Sequence, residues 1–400
     1  MPVRAPAQPT MADVAMAAGV GTGTVSRVLN GGPNVRESTR RRVLEVIERL
    51  GYRPSHLAAA LSRGTSRTVA ILVPHLTRPS AVARLAGALG VLDEQGYDTI
   101  VCNVDTPEQR DHHLSALTVR HRADGVIIVS IRLAKERIAA FRSGSIPVVT
   151  VDAVAPGVPQ TLIDDVAGGR LATAHLLSLG HRRIGFVGDL AGRATELDLG
   201  FTSSRSRLQG YRRELAAAGI GFDPDLVLLG PHGAAAAAEL ASQLIRRPDP
   251  PTAIFAASDT QAMGVLSAAE QWGFPVPGRL SVVGFDDTES TALLNLSTVR
   301  QPLEHSGAEG ARRLCALLHG AAVRPLRQLL PLRLVQRGSS ARPPQARSGG
   351  SRPDLLPAGA GRRGHERGRS SPRAWRRAAD VLFCVPSFPA PGACRAEGVV

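Results

Sequence analysis

The chain is almost without lysine: Lys135 is the single one among 400 residues, against 47 arginines. A phosphate-cradling P-loop needs Gly-Lys-Ser/Thr, and Lys135 lies in Leu-Ala-Lys-Glu, so that motif is excluded. Cysteine is scarce as well. Cys102, Cys315, Cys384 and Cys394 form no C-x-x-C pair, which argues against a zinc knuckle or a disulfide framework. Neither H-E-x-x-H nor G-x-S-x-G occurs, removing two common hydrolase signatures. His112, His113 and His121 lack a third ligand at metal spacing and read as surface or satisfied core residues. No metal and no cofactor is expected. No apolar run approaches the ~18 residues of a membrane span. The opening Met-Pro-Val-Arg-Ala-Pro has no apolar core of a signal peptide. The expectation is a cytoplasmic protein with reduced thiols and no membrane partner.

What is present describes a folded chain. Hydrophobic residues make up 43% and charged residues 20%, and the length suits two or three domains. The net charge of +14 is unevenly placed: +5 over residues 1–64, +2 over 65–338 and +7 over 339–400. A basic head on a near-neutral body suggests that the head meets a polyanion.

Residues 10–18 predict a short helix, with Thr10 and Asp13 forming a capping box and Gly19 ending it. A second helix is predicted from about Thr22 to Asn30, stopped by Gly31-Gly32-Pro33, and a third over 37–50, ending at Gly51. Three short helices with a tight glycine turn between the first two describe a helix-turn-helix domain over 10–53. Gly19-Val-Gly21-Thr-Gly23 is a poor dinucleotide loop, because position 24 is Thr and a helix, not a strand, precedes it. Residues 54–64 form a candidate hinge helix and linker, too short to hold a helix alone in water.

The segment Ala-Gly-Val-Gly-Thr-Gly-Thr-Val-Ser-Arg-Val-Leu-Asn, together with Thr39-Arg40, Leu50-Gly51-Tyr52-Arg53-Pro54 and Ala58…Leu61, resembles the DNA-binding head of the LacI/GalR family of transcriptional regulators. The resemblance extends to about residue 338. It implies that Thr22, Gly23 and Arg27 occupy base-reading positions of a recognition helix in the major groove. An arginine there can fork onto guanine O6 and N7. Gly23 has no side chain to read with, and Gly21 stands where a Ser cap is usual. Thr24, Ser26 and Asn30 read as phosphate or packing residues. Arg40, Arg41 and Arg42 read as phosphate contacts or a solvated face. Leu61 matches the residue that wedges into the minor groove.

From Thr68 the pattern becomes apolar runs alternating with helical stretches. The runs are Val69–Val73, Thr99–Val101, Val126–Val129, Val148–Val151, Ile184–Val187, Ala253–Ala256 and Leu280–Phe285. Helices are expected over 81–94, 167–179, 205–218, 234–244 and 260–272. This predicts an α/β body of two doubly wound parallel-sheet lobes over 65–338. Ligands bind outside the carboxyl ends of such strands. Asp152, Ser258-Asp259 and Asp286-Asp287 sit there, and Arg207 opens a helix nearby. Carboxylates and an arginine fork suit a polyhydroxylated ligand. The resemblance implies a periplasmic-binding-protein-like body whose effector contacts fall at Asp152, Arg207, Ser258, Asp286 and Gln301. Asp259 and Asp287 are expected to cap helices. An aromatic residue common in the family after Pro79 is Ser80 here, and aromatics are only 4% overall, so ring stacking on a sugar should be poorer.

Residues 1–9 read as a loose arm, and 339–400, rich in Arg, Pro, Gly and Ser, as a disordered tail. The expected function is a homodimeric repressor. It would bind a pseudo-palindromic double-stranded operator under control of a small effector, such as a sugar, held between the lobes. The alternatives are a sugar-binding protein without a regulatory role, or an α/β enzyme using Asp152, Asp259 or Asp286 as general base. No cofactor motif or nucleophile elbow accompanies those carboxylates.

Overall fold

The computed structural model describes residues 9–29, 31–53, 65–118, 122–190, 199 and 201–344. Asn30, the hinge segment with Leu61, His121 and the tail from 345 lie outside the described residues, as does the arm up to residue 8.

The head is α1 (Met11–Ala18), α2 (Thr22–Leu29) and α3 (Glu37–Leu50). The Thr10 hydroxyl accepts the Asp13 N–H at 3.3 Å while the Asp13 carboxylate accepts the Thr10 N–H at 2.7 Å, closing the capping box. Gly19, at φ 61, takes the left-handed turn that stops α1, and its N–H returns to Met16 O. Val14, Val25, Val28, Val43, Val46 and Tyr52 form the small core.

The body begins with β1 (Thr68–Pro74), α4 (Pro79–Glu94), β2 (Asp98–Val104), α5 (Pro107–Leu117), β3 (Gly125–Val129), α6 (Lys135–Ser143), β4 (Val148–Val151) and β5 (Gln160–Leu162). It continues through α7 (Asp165–Ser178), β6 (Ile184–Asp189), α8 (Ser203–Ala217), β7 (Val227–Gly230), α9 (Ala234–Ile245), β8 (Ala253–Ala256), α10 (Asp259–Gln271), β9 (Ser281–Asp286) and α11 (Glu289–Leu293). It closes with β10 (Ser297–Arg300), α12 (Leu303–Leu318), β11 (Arg327–Leu329) and β12 (Arg333–Val335).

Two six-stranded sheets result, ordered β11-β5-β4-β3-β1-β2 in lobe 1 and β12-β10-β9-β8-β6-β7 in lobe 2. All pairings are parallel except β10 with β12. Central strands such as β3 and β8 are buried throughout, because helices cover both faces of each sheet and every side chain meets a core. The chain crosses between lobes after β5, after β10 and after β11.

Glycines set how closely the paired helices lie. A Cβ on Gly87 of α4 would meet the Glu304 carbonyl, and one on Gly307 of α12 would meet the Arg84 carbonyl, both closer than any real contact. In lobe 2, Gly169 of α7 lies against the Arg207 carbonyl, and Gly210 of α8 against that of Val166. Each lobe thus brings one arginine-bearing helix, α4 or α8, against a partner at glycine-only distance.

Lobe 2 does not end at residue 338, where the sequence placed the boundary of the body. Ser339 and Ser340 are buried: Ser339 Oγ donates to Val282 O at 2.6 Å, and Ser340 Oγ meets His175 Nε2 at 2.9 Å. Nothing apolar announces this segment, because it is held by hydroxyls rather than by a hydrophobic stripe.

Candidate effector-binding cleft and DNA-binding surface

In the head, Thr22, Gly23 and Arg27 are exposed on α2, while Val25 and Val28 face the core. Thr24 and Ser26 are half-buried. A Cβ on Gly23 would sit 3.8 Å from Arg27 Nη2, so the missing side chain leaves room for the guanidinium along the exposed face. Arg40, expected as a phosphate contact or a solvated charge, has another task. Its Nη2 donates to Gly32 O at 2.9 Å and its Nη1 to Val28 O at 3.4 Å. It therefore ties α3 to the carboxyl end of α2, where carbonyls lack helical partners. Arg41 and Arg42 are exposed.

Between the lobes of the body lies a cleft of about 1010 Å³, and Asp152, Arg207, Ser258, Asp286 and Gln301 all line it. Three cleft-lining residues at or just beyond the ends of parallel strands hold a positive φ: Ser130 (φ 53), Asp152 (φ 57) and Asp286 (φ 120). Such conformations cost of order 1–3 kcal/mol each and gather at binding sites, where surrounding structure holds them.

The polar side chains form one continuous series across the cleft. Ser130 Oγ donates to Asp152 Oδ2 at 2.7 Å, and Arg84 Nη2 pairs with the same oxygen at 3.1 Å. Arg84 also donates to Gln301 Oε1 at 2.8 Å, and the Gln301 amide donates to Asp286. Asp286 lies 3.7 Å from Arg207 Nη1, whose Nε donates to Asp165 Oδ1 at 2.8 Å. Arg207 further donates to Ala257 O at 2.6 Å and stacks on the Phe285 ring at 3.6 Å. The series begins on lobe 1, passes the crossover at Gln301, and ends on lobe 2. Arg84 Nε is buried without a hydrogen-bond partner among the described residues, an unmet donor in the cleft wall.

Burial dominates the titration of these groups. It pushes the Asp165 carboxyl up to about 6 against the opposing pull of Arg207, and it raises Asp286 above the ordinary carboxylate range. Three carboxylates and two guanidiniums out of water hold one another in place only as a set.

Several placements differ from the sequence expectations. Asp259 does not cap α10. Ser258 does, its Oγ accepting the Gln261 N–H at 3.2 Å. Asp259 is fully buried instead and accepts Thr298 Oγ1 at 2.7 Å and Thr288 N at 2.8 Å. Asp287 caps nothing either: it pairs with Arg300 and with Arg337 Nη2, the latter at 2.7 Å, and accepts from Thr291. Arg207 lies in the second turn of α8, not at its start. No aromatic ring stands at Ser80, but Phe201 also lines the cleft, with the Arg78 guanidinium 5.3 Å and the His75 ring 5.8 Å from its centroid.

Arg84, Asp165 and Ser130 were not singled out by sequence. Ser130 and Asp189 carry the strand-end signal that marked Asp152. Arg84 sits mid-helix, and no local pattern marks it. Among the described residues no cluster of His, Cys, Asp or Glu could hold a metal, and no helix is long and apolar enough to cross a membrane.

Residues 10–55 match the profile of bacterial regulatory proteins of the lacI family, and residues 173–340 match a periplasmic binding protein-like domain. Catabolite control protein A of Priestia megaterium is 30% identical over 335 residues, covering 83% of this chain and 99% of that protein. The chain belongs to the LacI family. The transcriptional repressor CytR of Escherichia coli K12 is 31% identical over 83% of this chain and 96% of its own length. Among solved structures, the lac repressor dimer bound to operator and the anti-inducer ONPF shares 27% identity, with a TM-score of 0.72 over 84% of this chain and all of that one. The complex of the regulator CelR with cellobiose shares 30%, with a TM-score of 0.61 over 83% of this chain and all of that one. This LacI-family chain is therefore a helix-turn-helix transcriptional regulator and not an enzyme.

Proposed function

We propose that the cleft binds a small polyhydroxylated molecule, a sugar or sugar derivative, and that its occupancy sets the operator affinity of two paired heads. The observation that carries this is the polar series running from Ser130 through Arg84, Gln301 and Asp286 to Asp165, because it joins both lobes and a crossover segment. Paired hydroxyls both donate and accept, so they can enter such a series between carboxylate and guanidinium without leaving either unsatisfied. Asp152, Arg207, Asp286 and Gln301 are the direct ligand contacts in this reading. Ser258 contributes wall and backbone position more than a free hydroxyl, since it is committed to the α10 cap. The solved CelR–cellobiose complex, and a LacI-family regulator from Enterococcus faecium with bound ribose (26% identity, TM-score 0.62), support a sugar-type ligand.

Ligand entry replaces partners within the series and favours one relative orientation of the lobes, which changes how two heads are held. The protein acts as a homodimeric repressor in the cytoplasm, on a pseudo-palindromic operator whose symmetry mirrors its own. Arg27 reads a guanine, Thr22 touches an adjacent base edge, and Thr24, Ser26 and Asn30 meet phosphates or pack beside them. Leu61 wedges into the minor groove at the operator centre. Asp286→Asn tests the assignment. It should abolish the change in operator affinity on adding ligand while leaving ligand-free operator affinity at the wild-type value. A preserved response would place the pocket elsewhere.

A further inference from the structure

The cleft is electrically two-sided. On its floor each guanidinium has a carboxylate: Arg84 with Asp152, and Arg207 with Asp165 and Asp286. The wall formed by lobe 1 is different. Arg78, Arg110, Arg132, Lys135 and Arg137 all line it. Arg110 and Arg137 share the single carboxylate of Asp111, at 2.9 and 3.7 Å. Arg132 and Lys135 are exposed and make no ion pair among the described residues. Lys135 is the chain's only lysine.

Arg78 is the most telling of the five. It is half-buried, its guanidinium lies 5.3 Å from the centre of the Phe201 ring, and that guanidinium makes no hydrogen bond or salt bridge among the described residues. The two carboxylates that act on it from a distance are already engaged. Asp105 pairs with His75 Nδ1 at 3.2 Å and accepts Asn103 Nδ2 at 2.7 Å. Asp189 pairs with His232 Nδ1 at 3.1 Å and accepts Gln261 Nε2 at 2.9 Å. Desolvation holds the Arg78 guanidinium below its ordinary pKa, the mark of a cation that has lost water without gaining an anion.

We infer that the ligand of this cleft carries an anionic group, a phosphate ester or a carboxylate, which docks against Arg78 with Arg132 and Lys135 beside it. The inference rests on the reading of the cleft as an effector site. A neutral polyol needs only the balanced floor, whereas an uncompensated, partly desolvated guanidinium fork calls for an oxyanion it can grip at two points. The cleft's volume of about 1010 Å³ is ample for one small molecule. The ligand then lies with hydroxyls on the floor and its charged end at the lobe 1 wall.

Calorimetry on the full chain tests this with matched probes: glucose and glucose 6-phosphate, ribose and ribose 5-phosphate, gluconate and galacturonate for the carboxylate source, and inorganic phosphate alone. The expected result is that an anionic polyol binds at least ~10-fold more tightly than its neutral counterpart. Arg78→Gln should weaken that binding by ~10-fold or more, and Lys135→Gln by a smaller factor that shrinks in salt. The phosphate and carboxylate arms distinguish the two sources. A neutral probe that binds as tightly as its anionic partner overturns the inference. So does an anionic probe whose affinity is unchanged in an Arg78→Gln protein that keeps the wild-type melting point. If a neutral sugar binds and shifts operator affinity while no anion does, the anionic ligand is wrong and the effector site stands. If no small molecule alters operator affinity, the effector site itself is wrong.

Discussion

Gly169→Ala should loosen the lobe 2 side of the cleft without touching any ligand. An added Cβ would lie 2.1 Å from the Arg207 carbonyl oxygen, 2.8 Å from its carbonyl carbon and 2.9 Å from its Cα. Ordinary non-bonded contacts are ~3.5 Å. The obstacle is backbone, which cannot swing aside as a side-chain tip can, so α8 must retreat by roughly 1 Å. Overpacking of this kind costs ~1–3 kcal/mol, and the helix propensity gained by replacing Gly with Ala offsets up to ~1 kcal/mol of it. A net loss of about 1–2 kcal/mol is expected. Arg207 moves with α8, away from Asp165 and Asp286, so ligand affinity should fall with stability. Gly90 of α4 supplies the control, since nothing lies within 4 Å of an added Cβ, and Gly90→Ala should gain ~0.5–1 kcal/mol. Urea unfolding followed by circular dichroism measures both. Should Gly169→Ala prove as stable as the wild type, or shift upward like Gly90→Ala, the glycine contact does not set the helix spacing.

Asp259 gives a pH test. Burial, then the neighbouring Asp286 charge, pushes its carboxyl up to about 7, while the unfolded chain titrates at the ordinary 3.8. The native state therefore keeps this proton between about pH 4 and 7, and the stability it contributes is lost as pH rises through 7. The wild type should gain on Asp259→Asn as pH falls from 8 to 6 in urea titrations, and a difference flat in pH would contradict the burial argument. Burial acts oppositely on His175 and His181, lowering both, but that contribution is common to the two proteins and cancels. Arg40→Ala should lower the head's stability by ~1–2 kcal/mol, through the lost ties to Val28 O and Gly32 O, while operator base preferences stay unchanged. Arg27→Ala should do the reverse, costing ~1–3 kcal/mol of specific binding and relaxing choice at one base pair. Binding selections from random duplex libraries would expose an exchanged pair of phenotypes.

Local periodicity made the head legible almost to the residue. Thr10 with Asp13, and the glycines at 19 and 51, are signals of helix ends that need no tertiary partner. The central strands were equally plain, since β1, β3, β4 and β8 are unbroken apolar runs. Edge and crossover strands were not. Residues 160–162, 297–300, 327–329 and 333–335 are three or four residues long and partly polar, and they are strands only because a neighbouring strand offers its hydrogen bonds. The cleft divides the same way. Asp152 and Asp286 were visible because they follow apolar strands. Arg84 and Asp165 depend on α4 and the first crossover arriving at one place, which is a tertiary fact. Asp259 and Asp287 were misread as caps because an acidic residue at a helix start has that local use, and only burial and partners reveal the other.

The most direct test of the account is fluorescence anisotropy of a labelled duplex from the region upstream of this chain's own gene. It is titrated with the full chain at one fixed salt concentration, with and without a compound shown by calorimetry to bind. The account predicts tight, sequence-dependent binding whose affinity changes ~5–150-fold when that compound is present. An operator affinity that is the same with the cleft filled and empty would contradict it.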